Sequence, residues 1–222
     1  MFFSADSYQK KNLSSVVIDY IKEMILVGVY KESDHVLESE VANKLGISRA
    51  PVREGMRQLE KEGILTTIPR KGTYVTRYTL DDIKEVFDIR LLLENNILDI
   101  IINENKMTEE DFDKLNNIVN EMVKVVRSSE DPIKKAMKIN MNDIEFHRFI
   151  WQKSGSKRRV EILEGIFFQL RMAMLYDTNK TGNLLVTATD HYEIIKHLRN
   201  NDLEKSKKAL KEHIISYKEG DF

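Results

Sequence analysis

The sequence predicts a mainly α-helical protein in two parts: three short helices with a β-hairpin, then an all-α bundle of about six longer helices. Apolar residues recur at three- and four-residue spacing through most of the 222 residues, the period of a helix with one buried face. Only the stretch around Pro69-Arg70-Lys71-Gly72 reads as two short strands about a turn. Gly28, Gly46 and Gly63 fall where the first three helical patterns stop.

Each element has its own signal. Val16, Val17, Tyr20, Ile21, Met24 and Ile25 make an apolar stripe on a first helix from Leu13 to Val27. A second helix covers Glu38 to Leu45. Ser48 stands where it would cap a third, from Arg49 to Lys61, with Pro51 in the first turn, where a missing N–H does no harm. Leu65–Ile68 and Thr73–Thr76 are the expected strands. Helix, helix, tight turn, helix, hairpin is the order of a winged helix-turn-helix, assigned to residues 1–77, with the helical remainder assigned to 78–222. The later helices are expected at 80–103, 108–128, 132–153, 157–177, 182–200 and 202–218. Thr108 with Asp111 reads as a capping box, and Pro132 suits a first helical turn.

Composition narrows the class. Hydrophobic residues are 41% and charged residues 32%, which suits a globular chain. No apolar run approaches the roughly 20 residues of a membrane span, and Met1–Lys11 lack the apolar core of a signal peptide. The absence of cysteine excludes disulfides and thiolate metal sites. A cytoplasmic location, with no membrane partner, is the expectation. Net charge is −1, but Lys44–Arg77 hold eight basic and three acidic residues, a local excess of +5, whereas the chain from Tyr78 onward holds 23 basic and 26 acidic. A basic module beside an acidic remainder suits nucleic-acid binding.

On the third helix Val52, Met56 and Leu59 form the apolar face, while Arg49, Arg53 and Arg57 stack on another at i, i+4 and i+8. Like charges at that spacing cost a few tenths of a kcal/mol per pair, a penalty that an anionic partner reverses. A helix fits the major groove, where arginine reads guanine edges or phosphates. The bland alternative pairs these arginines with Glu54 and Glu60 on a solvated face. The run from Leu45 to Gly63, Leu-Gly-Ile-Ser-Arg-Ala-Pro-Val-Arg-Glu-Gly-Met-Arg-Gln-Leu-Glu-Lys-Glu-Gly, resembles the signature of the GntR family of transcription regulators, and Pro69-Arg70-Lys71-Gly72-Thr73-Tyr74-Val75 resembles its wing. The resemblance implies a double-stranded operator touched by Ser48, Arg49 and Arg53, and by Lys71 and Gly72 in the minor groove; Arg57 joins them from its spacing on the same helix face. Ala50 departs from the usual Thr, and Gly55 from the usual Ala.

In the second part Arg90 interrupts the stripe Ile83, Val86, Leu93, Ile97, Ile100. A guanidinium there needs an anion: either Glu94, one turn on, or a carboxylate ligand. Asp143 and His147 share a face with Ile139 and Ile150; His191 and His213 lie on apolar stripes of two further helices. His197 is read as solvated, beside Asp190 and Glu193. Three inward histidines and a carboxylate are either satisfied core residues or ligands of a divalent metal. The motifs Arg90-Leu91-Leu92-Leu93-Glu94, Asp143-Ile144-Glu145-Phe146-His147, Asp190-His191-Tyr192-Glu193-Ile194 and Ala209-Leu210-Lys211-Glu212-His213 resemble the FCD effector domain of the FadR subfamily. That resemblance implies one divalent metal per chain on Asp143, His147, His191 and His213, with Zn²⁺ first and Ni²⁺, Mn²⁺ or Fe²⁺ as alternatives. It further implies a small carboxylic acid held by Arg90 and Arg171, with Met172, Met174 and Tyr176 either lining the pocket or filling the core. The expected whole is a homodimeric repressor on a pseudo-palindromic operator, with ligand binding shifting the population able to bind DNA, and not an enzyme. The rivals are a regulator without metal, a regulator for which metal is itself the signal, and, remotely, a metallohydrolase; against the last, Glu145 lies two positions from Asp143 and points off the metal face.

Overall fold

The computed structural model describes residues 12–172 and 183–215. Residues up to Thr79 and residues from Leu80 onward form two compact units.

The first unit contains α1 (Leu13–Leu26), α2 (Glu38–Leu45), α3 (Arg49–Lys61), β1 (Leu65–Ile68) and β2 (Gly72–Val75). Asn12 starts α1 by accepting a hydrogen bond from the Ser14 amide. Val16, Val17, Ile21 and Ile25 of α1 are buried, as are Val52, Met56 and Leu59 of α3, and the two helices pack together. Each such side chain contributes about 1.5–3 kcal/mol of burial. Gly55 is what allows the close approach: a Cβ on it would lie 2.9 Å from both the Ser14 carbonyl oxygen and the Val17 side chain. The helix-weakening glycine of the sequence therefore has a packing reason. Gly46 ends α2 in the left-handed conformation. Ser48 holds the N-cap position of α3, but its side chain makes no capping hydrogen bond, contrary to expectation; it is exposed, where water satisfies the free amides.

The strands pair antiparallel, Leu65 opposite Val75 and Ile68 opposite Gly72. The second therefore begins and ends one residue earlier than predicted. His35 bridges to Tyr74 and stacks on its ring with centroids 4.8 Å apart.

The second unit is helical: α4 (Leu80–Asn103), α5 (Glu109–Arg127), α6 (Pro132–Lys153), α7 (Lys157–Gly165), a helical stretch over 167–172, α8 (Leu184–Thr189), α9 (His191–Arg199) and α10 (Leu203–Ile215). Both arms of the Thr108–Asp111 capping box are present. α5 packs on α6, α8 and α9, while α4 packs on α6, α7 and α10. Two predicted helices are interrupted. The one expected over 157–177 pauses at Ile166, after Gly165. The one expected over 182–200 divides at Asp190, after threonines at 187 and 189, both weak helix formers. Met174, Tyr176 and the predicted ends at 173–177, 182 and 216–218 lie outside the described residues. The buried line of α4 runs through Ile83, Phe87, Arg90, Glu94, Ile97 and Ile101. Val86, Leu93 and Ile100, expected on that line, are only half-buried, because the core takes in Glu94 as well as Arg90. Among the described residues no helix is long and apolar enough to cross a membrane.

Gly55→Ala is expected to destabilise the protein. The helix-propensity gain of about 1 kcal/mol is outweighed by overpacking of about 1–3 kcal/mol against the Ser14 carbonyl oxygen and Val17. Urea denaturation checks this; an unchanged midpoint would mean that α1 yields freely.

Candidate metal centre and nucleic-acid interface

α6 supplies Asp143 and His147 one turn apart, α9 supplies His191 in its first turn, and α10 supplies His213 near its end. All four are buried, and one ligand atom from each lies within 4.8 Å of every other. The Nε2 atoms converge: His147 Nε2 is 3.1 Å from His213 Nε2, while Asp143 Oδ1 is 3.1 Å from His191 Nε2 and 3.2 Å from His213 Nε2. A tetrahedral Zn²⁺ with bonds of about 2.0–2.2 Å holds its ligand atoms about 3.3–3.6 Å apart, so the donor set and its spacing fit such an ion. His191 Nε2 and Asp143 Oδ2 are buried without a well-aligned hydrogen bond, the condition that a cation at the convergence would relieve.

Carboxylates lie behind the rings. Glu94 Oε2 is 2.7 Å from His147 Nδ1, and Asp190 Oδ2 is 3.1 Å from His213 Nδ1. Arg90 Nε donates to Glu94 Oε1 at 2.6 Å, and its Nη2 lies 3.6 Å from Asp143 Oδ2. Arg90 is thus beside the cluster with an internal anion, the first of its two predicted partners. Arg171 is half-buried, and no described contact joins it to the cluster. Phe146 sits edge-on to His191 at 4.6 Å and to His147 at 5.2 Å, walling the site with hydrocarbon.

The protonation states follow from this packing. Burial opposes ionisation of Asp143, yet His191 and His213 hold its carboxyl well below the usual range. Burial, then the Arg90 charge, press His147 down to about 4, against the pull of Glu94. Burial likewise opposes charge on His213, but Asp190 and Asp143 push it up to about 10. Burial raises Glu94 while His147 and Arg90 bring it down to about 2; with His147 neutral at pH 7, Arg90 is the standing partner.

In the first unit Ser48, Arg49, Arg53, Arg57 and Lys71 are exposed and Gly72 is half-buried at the hairpin turn. Arg49, Arg53 and Arg57 present one exposed face of α3, beside the buried face of Val52, Met56 and Leu59. An open groove of about 550 Å³ beside α3 is lined by Ser14, Ile18, Ala50, Arg53, Arg57 and Lys61, among others. Arg53 is not paired with Glu54 or Glu60, as the solvated-face reading required. Its Nε and Nη2 grip Glu38 of α2 at 3.0 and 2.9 Å. The helix-turn-helix pair is therefore clamped at its outer edge.

Residues 13–75 match the family described as bacterial regulatory proteins, gntR family, and residues 85–216 match the FCD domain. The chain belongs to the GntR family. It is a DNA-binding transcription regulator with an FCD domain, in a family of regulators and not of enzymes. It is 25% identical over 197 residues to the HTH-type transcriptional regulator YdhC of Bacillus subtilis, covering 89% of this chain and 84% of that protein. It is 32% identical over 141 residues to the gluconate operon transcriptional repressor of Bacillus subtilis, covering 63% and 55%. Escherichia coli McbR/YncC has the same fold, with a TM-score of 0.74 at 19% identity over 93% of this chain and 95% of that one. So does a GntR regulator of Rhodococcus sp. RHA1, at 0.75 and 17% over the same shares.

Sequence reasoning missed three residues of this GntR regulator's sites. Glu38 lies 15 positions from Arg53, beyond any helical spacing. Phe146 points to the cluster beside His147. A continuous helix through residue 200 puts Asp190 on the solvated face; its carboxylate instead reaches His191 and His213.

Arg53→Ala is expected to weaken binding to a duplex selected from a random library by more than tenfold at matched salt; undiminished affinity would remove α3 as the reading helix. In chelated protein His213 binds a proton in the folded state up to about pH 10, but in the unfolded state only below its usual value near 6.5. The stability it confers is thus fully present below pH 6.5 and lost as pH rises toward 10. Thermal midpoints recorded across that window should fall, and His213→Asn should flatten the slope.

Proposed function

We propose that the FCD domain of this regulator binds one divalent metal through His147, His191, His213 and Asp143, and that a small carboxylic acid completing the coordination changes operator affinity. The observation that carries the reading is the convergence of four buried ligand atoms within 4.8 Å. Imidazole nitrogens with one carboxylate favour Zn²⁺, with Ni²⁺, Mn²⁺ and Fe²⁺ as alternatives. Arg90, whose Nη2 is buried without a well-aligned hydrogen bond and lies 3.6 Å from Asp143 Oδ2, and Arg171, half-buried and with its pKa lowered by burial, are the proposed holders of the acid. Ser48, Arg49, Arg53, Arg57, Lys71 and Gly72 are the proposed DNA contacts, made by a homodimer on a pseudo-palindromic operator in the cytoplasm. The direction of control is repression, by likeness to the gluconate operon repressor, and on this reading the ligand releases it. The engagement of Arg90 by Glu94 favours a second reading, in which the metal alone is the signal.

The test is a thermal-shift screen of the full chain against small carboxylic acids, with Zn²⁺ and after chelation. An acid that raises the midpoint only when metal is present supports the reading, since a ligand of the native state stabilises by mass action. A shift with metal alone and with no acid selects the metal sensor. No shift with either would leave the histidines as core residues. His191→Ala should retain its helical content while losing bound metal, measured by elemental analysis.

A further inference from the structure

We propose that Asp190 is the positioning residue of the histidine cluster: its single carboxylate braces the outer faces of two ligand rings, His191 and His213, and so aims both Nε2 atoms at the metal. The inference rests on the metal reading and extends it to a residue outside the ligand set.

The geometry is that of an inner and an outer ring of donors. The three Nε2 atoms and Asp143 face one another, as described above. Each Nδ1 faces away from that centre toward a second carboxylate: His147 toward Glu94 at 2.7 Å, His213 toward Asp190 Oδ2 at 3.1 Å and His191 toward Asp190 Oδ1 at 3.5 Å. A carboxylate behind a metal-bound imidazole fixes its tautomer and ring orientation, so that the proton stays on Nδ1 and the lone pair of Nε2 points inward. Glu94 does this for one ring and is itself tethered by Arg90. Asp190 stands in that position for two rings, one oxygen near each Nδ1, in contacts without well-aligned hydrogen bonds.

The ordinary explanation for an aspartate at this place is a helix cap. Asp190 occupies the N-cap position of α9, yet its side chain makes no capping hydrogen bond. Its Oδ1 is buried without a well-aligned hydrogen bond. The carboxylate is spent on the histidines and not on the helix end. Neighbouring helical residues diverge by about 100°, which lets Asp190 take the outer edge of the cluster while His191 enters it.

Four full-length proteins test this: wild type, Asp190→Ala, Asp190→Asn and the exposed control Glu204→Ala. Zn²⁺ affinity is measured by competition with a fluorescent chelator, Co²⁺ coordination by visible absorption, and folding by far-ultraviolet circular dichroism of the chelated proteins. Asp190→Ala is expected to lose about 10–100-fold in Zn²⁺ affinity and to shift the Co²⁺ spectrum, with helical content retained. Asp190→Asn keeps one acceptor oxygen but cannot serve two rings, and should fall between; it carries the test if the alanine variant does not fold. Glu204→Ala should match wild type. Wild-type affinity and spectrum in both Asp190 variants would overturn the inference while leaving the metal reading intact. A wild type that binds neither Zn²⁺ nor Co²⁺ would overturn both.

Discussion

Asp143 is a carboxylate with almost no water around it, and the centre of the helical unit is arranged to keep it ionised. Removing an ion of this size from water costs several kcal/mol even after relaxation. The compensation comes from four helices: α4 brings Arg90, α6 brings His147, α9 brings His191 and α10 brings His213. That demand explains features that are poor choices for a core taken singly. Two successive inward positions of α4 are Arg90 and Glu94 rather than aliphatic residues. His213 is driven to its charged form by Asp143 and Asp190, while His147 is driven to its neutral form by burial and Arg90. The two imidazoles, stacked 5.1 Å apart, are thus shifted in opposite directions. On the proposed reading, a divalent cation takes over the positive charge that His213 carries in its absence.

The constraint on the first unit is different. There the arginines stay in water and the packing beneath them is dry. Gly55 lets α1 press against α3, so the apolar face of α3 is held closely while the adjoining face carries three cations. Among the described residues, the internal carboxylate contact is that of Arg53. The Glu38 carboxylate takes two donors of Arg53 in a planar fork, the geometry to which guanidinium is best suited. This leaves Arg53 oriented, with its remaining N–H groups for a partner, while Arg49 and Arg57 keep their reach.

Much of this was legible in the residues. Helical periodicity and the glycine and proline punctuation located α1 to α6 within a residue or two, because those signals are local and strong. The convergence of Asp143, His147, His191 and His213 was legible because polar residues on apolar stripes have to meet inside. The helix interruptions at Ile166 and Asp190 were only weakly signalled, by Gly165 and by Thr187 and Thr189, since no proline stands at either place and the apolar pattern runs through them. The error mattered at Asp190, where periodicity extended through the break assigned a cluster residue to solvent.

The sequence by itself determined which faces are buried, which helix carries the arginines, and which four side chains are available as ligands; these are matters of spacing along one chain. Only the tertiary structure decided what lies behind those groups. The pairing of Arg53 with Glu38, of His147 with Glu94, and of both His191 and His213 with Asp190 depends on how separate helices cross. Crossing is set by side-chain volume at the contacts, such as Gly55 against Val17, and such contacts leave no period in the sequence.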